Sequence, residues 1–241
     1  MQQQPSPNRR FKILEGDAQL QLAFIKSESI DTVFTSPEPP YSYDQLLKLE
    51  AIMLELPRVL KPTGSIWINM SDIHNEDGVL TIIPERFLYD MVVGYQWKLR
   101  NNIVWSRASD TWDKSDMRRF RRDHEYCYWF VKDVEQHYFP LDRALNITPR
   151  DLIETHYVPP EPGEFESGFP IELIELTAIR TTPHYGRILD PFCGTATTGI
   201  AALRHDMEFL GIEANPLLIP KIHKRLNHEL TRSKPHVESS D

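Results

Sequence analysis

Leu189-Asp190-Pro191-Phe192-Cys193-Gly194-Thr195-Ala196-Thr197-Thr198-Gly199 is the stretch that decides the fold class of this chain. Arg187-Ile188-Leu189 reads as a short buried strand that ends in Asp190 and a glycine-bearing turn. A helix pattern then opens at Thr197 and runs through Thr198-Gly199-Ile200-Ala201-Ala202-Leu203. Strand, turn and helix start in that order suit a cofactor with an anionic end, because first-turn N–H groups are unpaired and the helix dipole is positive there. Glu208-Phe209-Leu210-Gly211-Ile212-Glu213 follows at the spacing of one βαβ unit and also ends in a carboxylate. In such folds that carboxylate usually accepts from ribose hydroxyls. Taken alone, a turn of this kind is equally compatible with no ligand, so the first half of the chain carries the decision.

There, Asp31-Thr32-Val33-Phe34-Thr35-Ser36 reads as a strand running into Pro37-Glu38-Pro39-Pro40-Tyr41. Folding does not require a proline-rich turn ending in an aromatic residue, and the crevice outside strand carboxyl ends is where open α/β sheets bind ligands. Thr35-Ser36-Pro37…Pro40-Tyr41 resembles the Ser-Pro-Pro-Tyr motif of the DNA amino-methyltransferases. Asp190 through Thr198 resembles their Asp-Pro-Phe-x-Gly-x-Gly-Thr-Thr cofactor motif. The catalytic motif precedes the cofactor motif, the permuted order of the β group. Leu14-Glu15-Gly16-Asp17-Ala18, Arg58 to Ser65, Asp123-His124-Glu125-Tyr126 and Phe169 to Leu173 match in register. The resemblance spans residues 11–226.

The resemblance implies a Rossmann-like α/β methyltransferase fold, with a mostly parallel seven-stranded sheet and an antiparallel hairpin at one edge. It implies S-adenosylmethionine as cofactor and DNA as partner, bound by this chain alone, as a homodimer or with a second subunit. Carried over, the cofactor residues are Asp17, Phe169, Pro170, Asp190, Phe192, Gly194, Thr195, Thr197, Thr198 and Glu213. Glu213 would take the ribose hydroxyls, and Asp17 a polar edge of the adenine unless it merely caps the helix beside it. Asp190 would bind the ammonium group or fix the turn. In the family, the serine side chain and the carbonyl of the next proline accept hydrogen bonds from an exocyclic amine, and the aromatic residue stacks on a flipped-out base. Those roles fall to Ser36, Pro37 and Tyr41, with Glu38 and Pro40 completing the segment. Serine in the first position resembles the cytosine-N4 enzymes, whereas aspartate is more typical of adenine-N6 enzymes. The expected activity is therefore site-specific DNA methylation at cytosine N4. The alternatives are adenine-N6 methylation and a catalytically weakened DNA-binding subunit.

Two departures bear on that expectation. The family motif has four residues, whereas Ser36 to Tyr41 has six. Either Glu38-Pro39 is inserted after Ser36-Pro37, or Glu38-Pro39-Pro40-Tyr41 is the motif and Glu38 replaces the serine. The distance from Asp31 to Ser36 favours the first register, and the intact Pro39-Pro40-Tyr41 favours the second. Ala196 stands where the family usually has glycine; because Thr197 onward reads as helix, Ala196 is expected to be helical and harmless.

Formal net charge is −8, which argues against a protein that coats nucleic acid over its whole surface. One dense basic cluster remains: Lys114, Arg118, Arg119, Arg121 and Arg122 against Asp116 and Asp123, with His124 beside them. Given the resemblance, it is expected to contact DNA phosphates. Histidines lack metal-ligand spacing, so no metal is expected. Cys127 and Cys193 suggest a reducing compartment and inert packing roles. No apolar run reaches membrane-spanning length and the N-terminal residues lack a signal-peptide core, so no membrane is expected as partner and the location is expected to be cytoplasmic, at the nucleoid, or nuclear in a eukaryote.

Strands alternating with helices predict a doubly wound sheet. Helices are expected near residues 17–25, 43–60 (bent at Pro57), 81–93, 171–180 and from Thr197, with antiparallel strands at Trp97–Trp105 and Glu125–Val131. Lys61-Pro62-Thr63-Gly64 reads as a turn. One domain is expected over 11–226, between a loose tail at 1–10 and a polar tail at 227–241. Target-recognition loops are expected near 70–80, 106–124 and 140–168.

Overall fold

The computed structural model describes residues 10–40, 42–108, 120, 123–140, 150–156 and 169–232. Eight strands form one sheet: β1 (Phe11–Glu15), β2 (Ile30–Thr35), β3 (Leu60–Met70), β4 (Lys98–Ala108), β5 (His124–Val131), β6 (Leu152–His156), β7 (Arg187–Asp190) and β8 (Glu208–Glu213). Their order is β1-β8-β7-β2-β3-β5-β4-β6. The first five in that order run parallel, β5 is antiparallel to both its neighbours, and β6 runs parallel to β4.

Every position of β2 is buried, as expected for a central parallel strand covered on both faces. The two faces bury separate cores. Phe34, Trp67, Cys127 and Trp129 point to one, under α5 (Ile171–Leu176), α6 (Thr197–Arg204) and α7 (Ile219–Arg232). Val33, Ile66, Ile68, Tyr128 and Phe130 point to the other, under α1 (Ala18–Leu22), α2 (Tyr43–Met53), α3 (Leu56–Val59) and α4 (Ile83–Tyr89). The period-2 alternation of each strand splits its side chains between these cores.

The mostly parallel α/β sheet agrees with the sequence, and several details differ. The sheet has eight strands rather than seven, so the hairpin is not its edge. β6 covers β4 from within the segment expected to be an irregular loop. Ile153 and Thr155 are buried between exposed Leu152 and Glu154, and Thr155 Oγ1 accepts from Trp105 Nε1 at 2.8 Å. Flanking prolines masked that short alternation. The long second helix is instead two helices: α2 stops at Met53, and Pro57 starts α3 at a first-turn position that needs no N–H. Lys61–Gly64 lies inside β3, where register shifts between the Ile30–Leu60 and Thr32–Ser65 pairs. There Lys61 Nζ reaches back to Asp31 at 2.8 Å. Helix α7 continues to Arg232, past the expected start of the polar tail, because Glu229 is buried against Arg204 at 3.0 Å. Helix α4 gives way after Tyr89 to a π-turn at Asp90–Gly94.

Candidate active site

A cleft of about 650 Å³ opens at the carboxyl ends of β1, β8, β7 and β2, within the usual range of ~300–1,000 Å³ for small-molecule sites. Gly16 and Asp17 bound it after β1, Glu213 to Asn215 after β8, Phe192 and Gly194 after β7, and Ser36 to Pro40 after β2. Lys48 of α2 also lines it. A second cleft of about 460 Å³, between α5 and β4–β6, gathers none of the motif residues.

Asp190 lies beneath the cleft rather than on its wall. It is 1% exposed, and it accepts from Thr35 Oγ1 at 2.9 Å, Thr198 Oγ1 at 2.7 Å and the Phe192 N–H at 3.1 Å. Burial raises its pKa to about 6, although all three hydrogen bonds pull the other way. Of the two roles the sequence left to Asp190, the geometry matches fixing the turn. It ties the ends of β2 and β7 to the first turn of α6.

Glu213 occupies the wall. One carboxylate oxygen accepts from the Gly194 N–H at 2.9 Å and the other from the Asn215 N–H at 2.8 Å. Both oxygens keep lone pairs for further donors. Asp17 lines the cleft and also caps α1, accepting from the Leu20 N–H at 3.1 Å. The capping role is thus present, and it leaves the residue on the cleft wall.

In the turn between β7 and α6, four N–H groups already have acceptors. The Phe192 N–H goes to Asp190, Cys193 N–H to the Ile212 carbonyl, Gly194 N–H to Glu213, and Ala196 N–H to the Cys193 carbonyl. These N–H groups are therefore not directed at a ligand. Thr197 and Thr198 are buried, and neither they nor Thr195 lines the cleft; the Thr195 carbonyl accepts from Arg225. Ala196 is not helical either: its φ of 63° and ψ of 40° are left-handed, the conformation the family's usual glycine adopts freely. Gly194, at φ +52°, faces open space, since a Cβ built there would meet nothing within 4 Å.

Phe169 packs on Phe34 at a ring distance of 5.4 Å, and Pro170 precedes α5. Neither lines the cleft.

On the β2 side, Ser36 follows directly on the strand and is half-buried; Pro37 and Pro40 are buried, and Glu38 is exposed on the cleft. Ser36 Oγ accepts from Asn69 Nδ2 at 3.2 Å, and the same nitrogen donates to Glu125 Oε2 at 2.6 Å. Sequence reading took Glu125 only as part of a matching segment and passed over Asn69. An Asn at the end of a strand carries no signal until its neighbour across the sheet is known. His124 begins β5, its ring edge-on to Tyr126. Tyr41, Lys114, Arg118, Arg119, Arg121 and Arg122 lie outside the described residues. Burial raises both cysteine thiols far above their ordinary range, consistent with inert packing. No group of metal-ligating side chains occurs among the described residues. Among them, no helix is long and apolar enough to cross a membrane.

Residues 34–224 match the family model described as DNA methylase. The chain belongs to that family. It is 25% identical over 267 residues to the type II methyltransferase M.Cfr9I of Citrobacter freundii, covering 91% of this chain and 88% of that protein. It is 26% identical over 261 residues to the DNA adenine methyltransferase YhdJ of Escherichia coli K12, covering 91% and 84%. In three dimensions it is similar to the cytosine-N4-specific PvuII DNA methyltransferase, with a TM-score of 0.80, 19% identity and coverage of 93% and 92%. The eight-stranded methyltransferase is thus related both to an adenine enzyme and, in fold, to a cytosine-N4 enzyme.

Proposed function

We propose that this methyltransferase moves a methyl group from S-adenosylmethionine to the exocyclic N4 of cytosine in DNA. The observation that carries the reading is Ser36, which leaves β2 at the mouth of the cleft with its Oγ already oriented by Asn69.

The donor set suits the cofactor, which members of the family use. Glu213 accepts from the ribose hydroxyls, Asp17 from a polar edge of the adenine, and Phe192 packs beside them. Lys48, on the cleft lining, is the cation for the cofactor carboxylate. The open face of Gly194 leaves room for close approach. Asp190 and Thr198 serve this site from below by holding the turn, with Thr197 buried beside them. When bound, the cofactor supplies an electrophilic methyl group on a sulfonium.

An exocyclic amine is a poor nucleophile because its lone pair is delocalised into the ring. Ser36 Oγ and the Pro37 carbonyl accept its two N–H groups and direct the lone pair toward the methyl. Orientation and placed acceptors supply the acceleration, and no strong base is needed. Ser36 lies where the first acceptor belongs, immediately after β2, which supports the register in which Glu38-Pro39 is inserted. Tyr41 stacks on the extruded base, and the basic cluster around Arg118 with His124 holds the DNA backbone.

The likeness to YhdJ favours adenine N6 as a second reading. Labelled S-adenosylmethionine, mixed-sequence duplex DNA and nucleoside mass spectrometry separate the two. The expected product is 4-methylcytosine, lost in Ser36→Ala. A 6-methyladenine product would replace the cytosine assignment. Cofactor binding without transfer, relieved by deleting Glu38-Pro39, would identify a weakened DNA-binding subunit.

A further inference from the structure

Ser36, Asn69 and Glu125 lie on one face of β2, β3 and β5, at the ends of those strands nearest the cleft. Two residues below the first two, Phe34 pairs with Trp67, and Trp67 stacks on Trp129 with ring centroids 5.1 Å apart and planes 1° from parallel. A polar row therefore rests on an aromatic floor. Asn69 is 1% exposed and Glu125 is 5% exposed. In such surroundings hydrogen bonds are strong and their directions are hard to change.

The direction in this row is set from the Glu125 end. Glu125 Oε2 lies 2.6 Å from Asn69 Nδ2 and accepts one hydrogen of the amide NH₂ group. That group has a second hydrogen, which goes to Ser36 Oγ. The amide holds this orientation although its Oδ1 is buried with no hydrogen-bond partner, an arrangement that needs a strong contact on the nitrogen side. One lone pair of Ser36 Oγ is thereby taken, and the other is aimed. Without the carboxylate, the amide can turn over, and the Ser36 hydroxyl can rotate with it.

We propose that Glu125 is a positioning residue for methyl transfer, acting on Ser36 through the Asn69 amide. The proposal rests on the reading of Ser36 as an acceptor for the substrate amine. It assigns no proton transfer to Glu125. Gln at this position keeps an acceptor for Asn69, whereas Ala removes it.

The test is single-turnover transfer to DNA at saturating cofactor, with cofactor affinity measured separately, for Glu125→Ala, Glu125→Gln, Asn69→Ala and the double alanine variant. Glu125→Ala should slow transfer about tenfold or more with cofactor affinity little changed, and Glu125→Gln should recover most of the rate. The double variant should be no slower than Asn69→Ala, because residues acting through one path are not additive. An unchanged rate in Glu125→Ala, losses that multiply, or a loss confined to cofactor affinity would overturn the proposal. The Asn69 side-chain amide resonances of isotope-labelled protein give a readout that needs no transfer. They should shift in Glu125→Ala and in Ser36→Ala, and if Glu125→Ala leaves them in place the proposal fails. A wild-type protein without transfer but with both shifts would instead overturn the function assigned to Ser36 and leave the row intact.

Discussion

The carboxyl ends of β7 and β8 and that of β2, with β3 beside it, border the same cleft, but they are built differently: only β2 of the second pair reaches the lining. On the β7–β8 side the turn is tied to its neighbours: Asp190 gathers three donors, and Glu213 braces Gly194 and Asn215. On the β2–β3 side Ser36 Oγ takes a hydrogen bond from Asn69, with Glu125 behind it. The first region holds a shape, and the second holds the direction of one hydroxyl. Even neighbouring carboxylates divide along this line. Asp190 is sealed and structural, whereas Glu213, one strand over, stands on the wall with lone pairs to spare.

Exchanging the two carboxylates' environments is impossible, but removing each in turn sharpens the contrast. Asp190→Ala deletes three hydrogen bonds and leaves two hydroxyls and an N–H without their acceptor. At about 1 kcal/mol each, the loss is about 3 kcal/mol, or roughly 6–12 °C in melting temperature for a chain of this size. Glu213→Gln keeps one carbonyl acceptor and should melt within a few degrees of wild type. Its cofactor Kd should rise about tenfold or more, as loss of a charge-assisted bond implies. Thermal scans with and without S-adenosylhomocysteine measure both quantities. Equal melting losses in the two variants would erase the distinction.

A smaller effect tests a third carboxylate, on the β2 side. Glu50 of α2 is 2% exposed and its Oε1 has no hydrogen-bond partner. Burial first, then the neighbouring Asp90, raises its pKa from 4.5 to about 7; Arg86 and Tyr95 face it and act in the opposite sense. A raised carboxyl pKa contributes stability that is fully present below about 4.5 and lost as pH rises through about 7. Glu50→Gln should therefore melt higher than wild type at pH 8, by roughly 2–4 °C for each kcal/mol of relieved burial cost. That advantage should shrink toward zero as pH falls to 5. An advantage independent of pH would show that Glu50 is not charged at pH 8.

Much of this was legible beforehand because it is local. The strand-turn-helix at Arg187–Leu203, the carboxylate closing β8 and the Ser36 segment each announce themselves within one short run of residues. What escaped depends on neighbours far away in sequence. β6 is five residues between prolines, and only pairing with Val104 to Ala108 makes it a strand. Asn69 and Glu125 acquire meaning because β3 lies beside β5, 56 residues later. The pairing of the Cys193 and Gly194 N–H groups was hidden for the same reason, since Ile212 and Glu213 supply their acceptors.

Ala196 gives the finest test of how rigid the cofactor side is. Its expected helical conformation was a local inference, and the fold overrides it: between the Cys193 carbonyl, which takes its N–H, and Ile200, whose N–H takes its carbonyl, the residue is forced to φ 63°. A non-glycine residue in the left-handed region is strained by roughly 1 kcal/mol. Against this, glycine has more unfolded-state freedom to lose, and the Ala196 methyl is fully buried. These terms oppose each other and are similar in size, so Ala196→Gly should leave the melting temperature within about 2 °C of wild type. A helical alanine would respond differently, because glycine would then lose propensity and packing with no strain to relieve, about 1 kcal/mol or more in all. A clear destabilisation would show that the turn tolerates the methyl without strain. A near-zero change would show that β7 and α6 hold Ala196 in a conformation it does not favour.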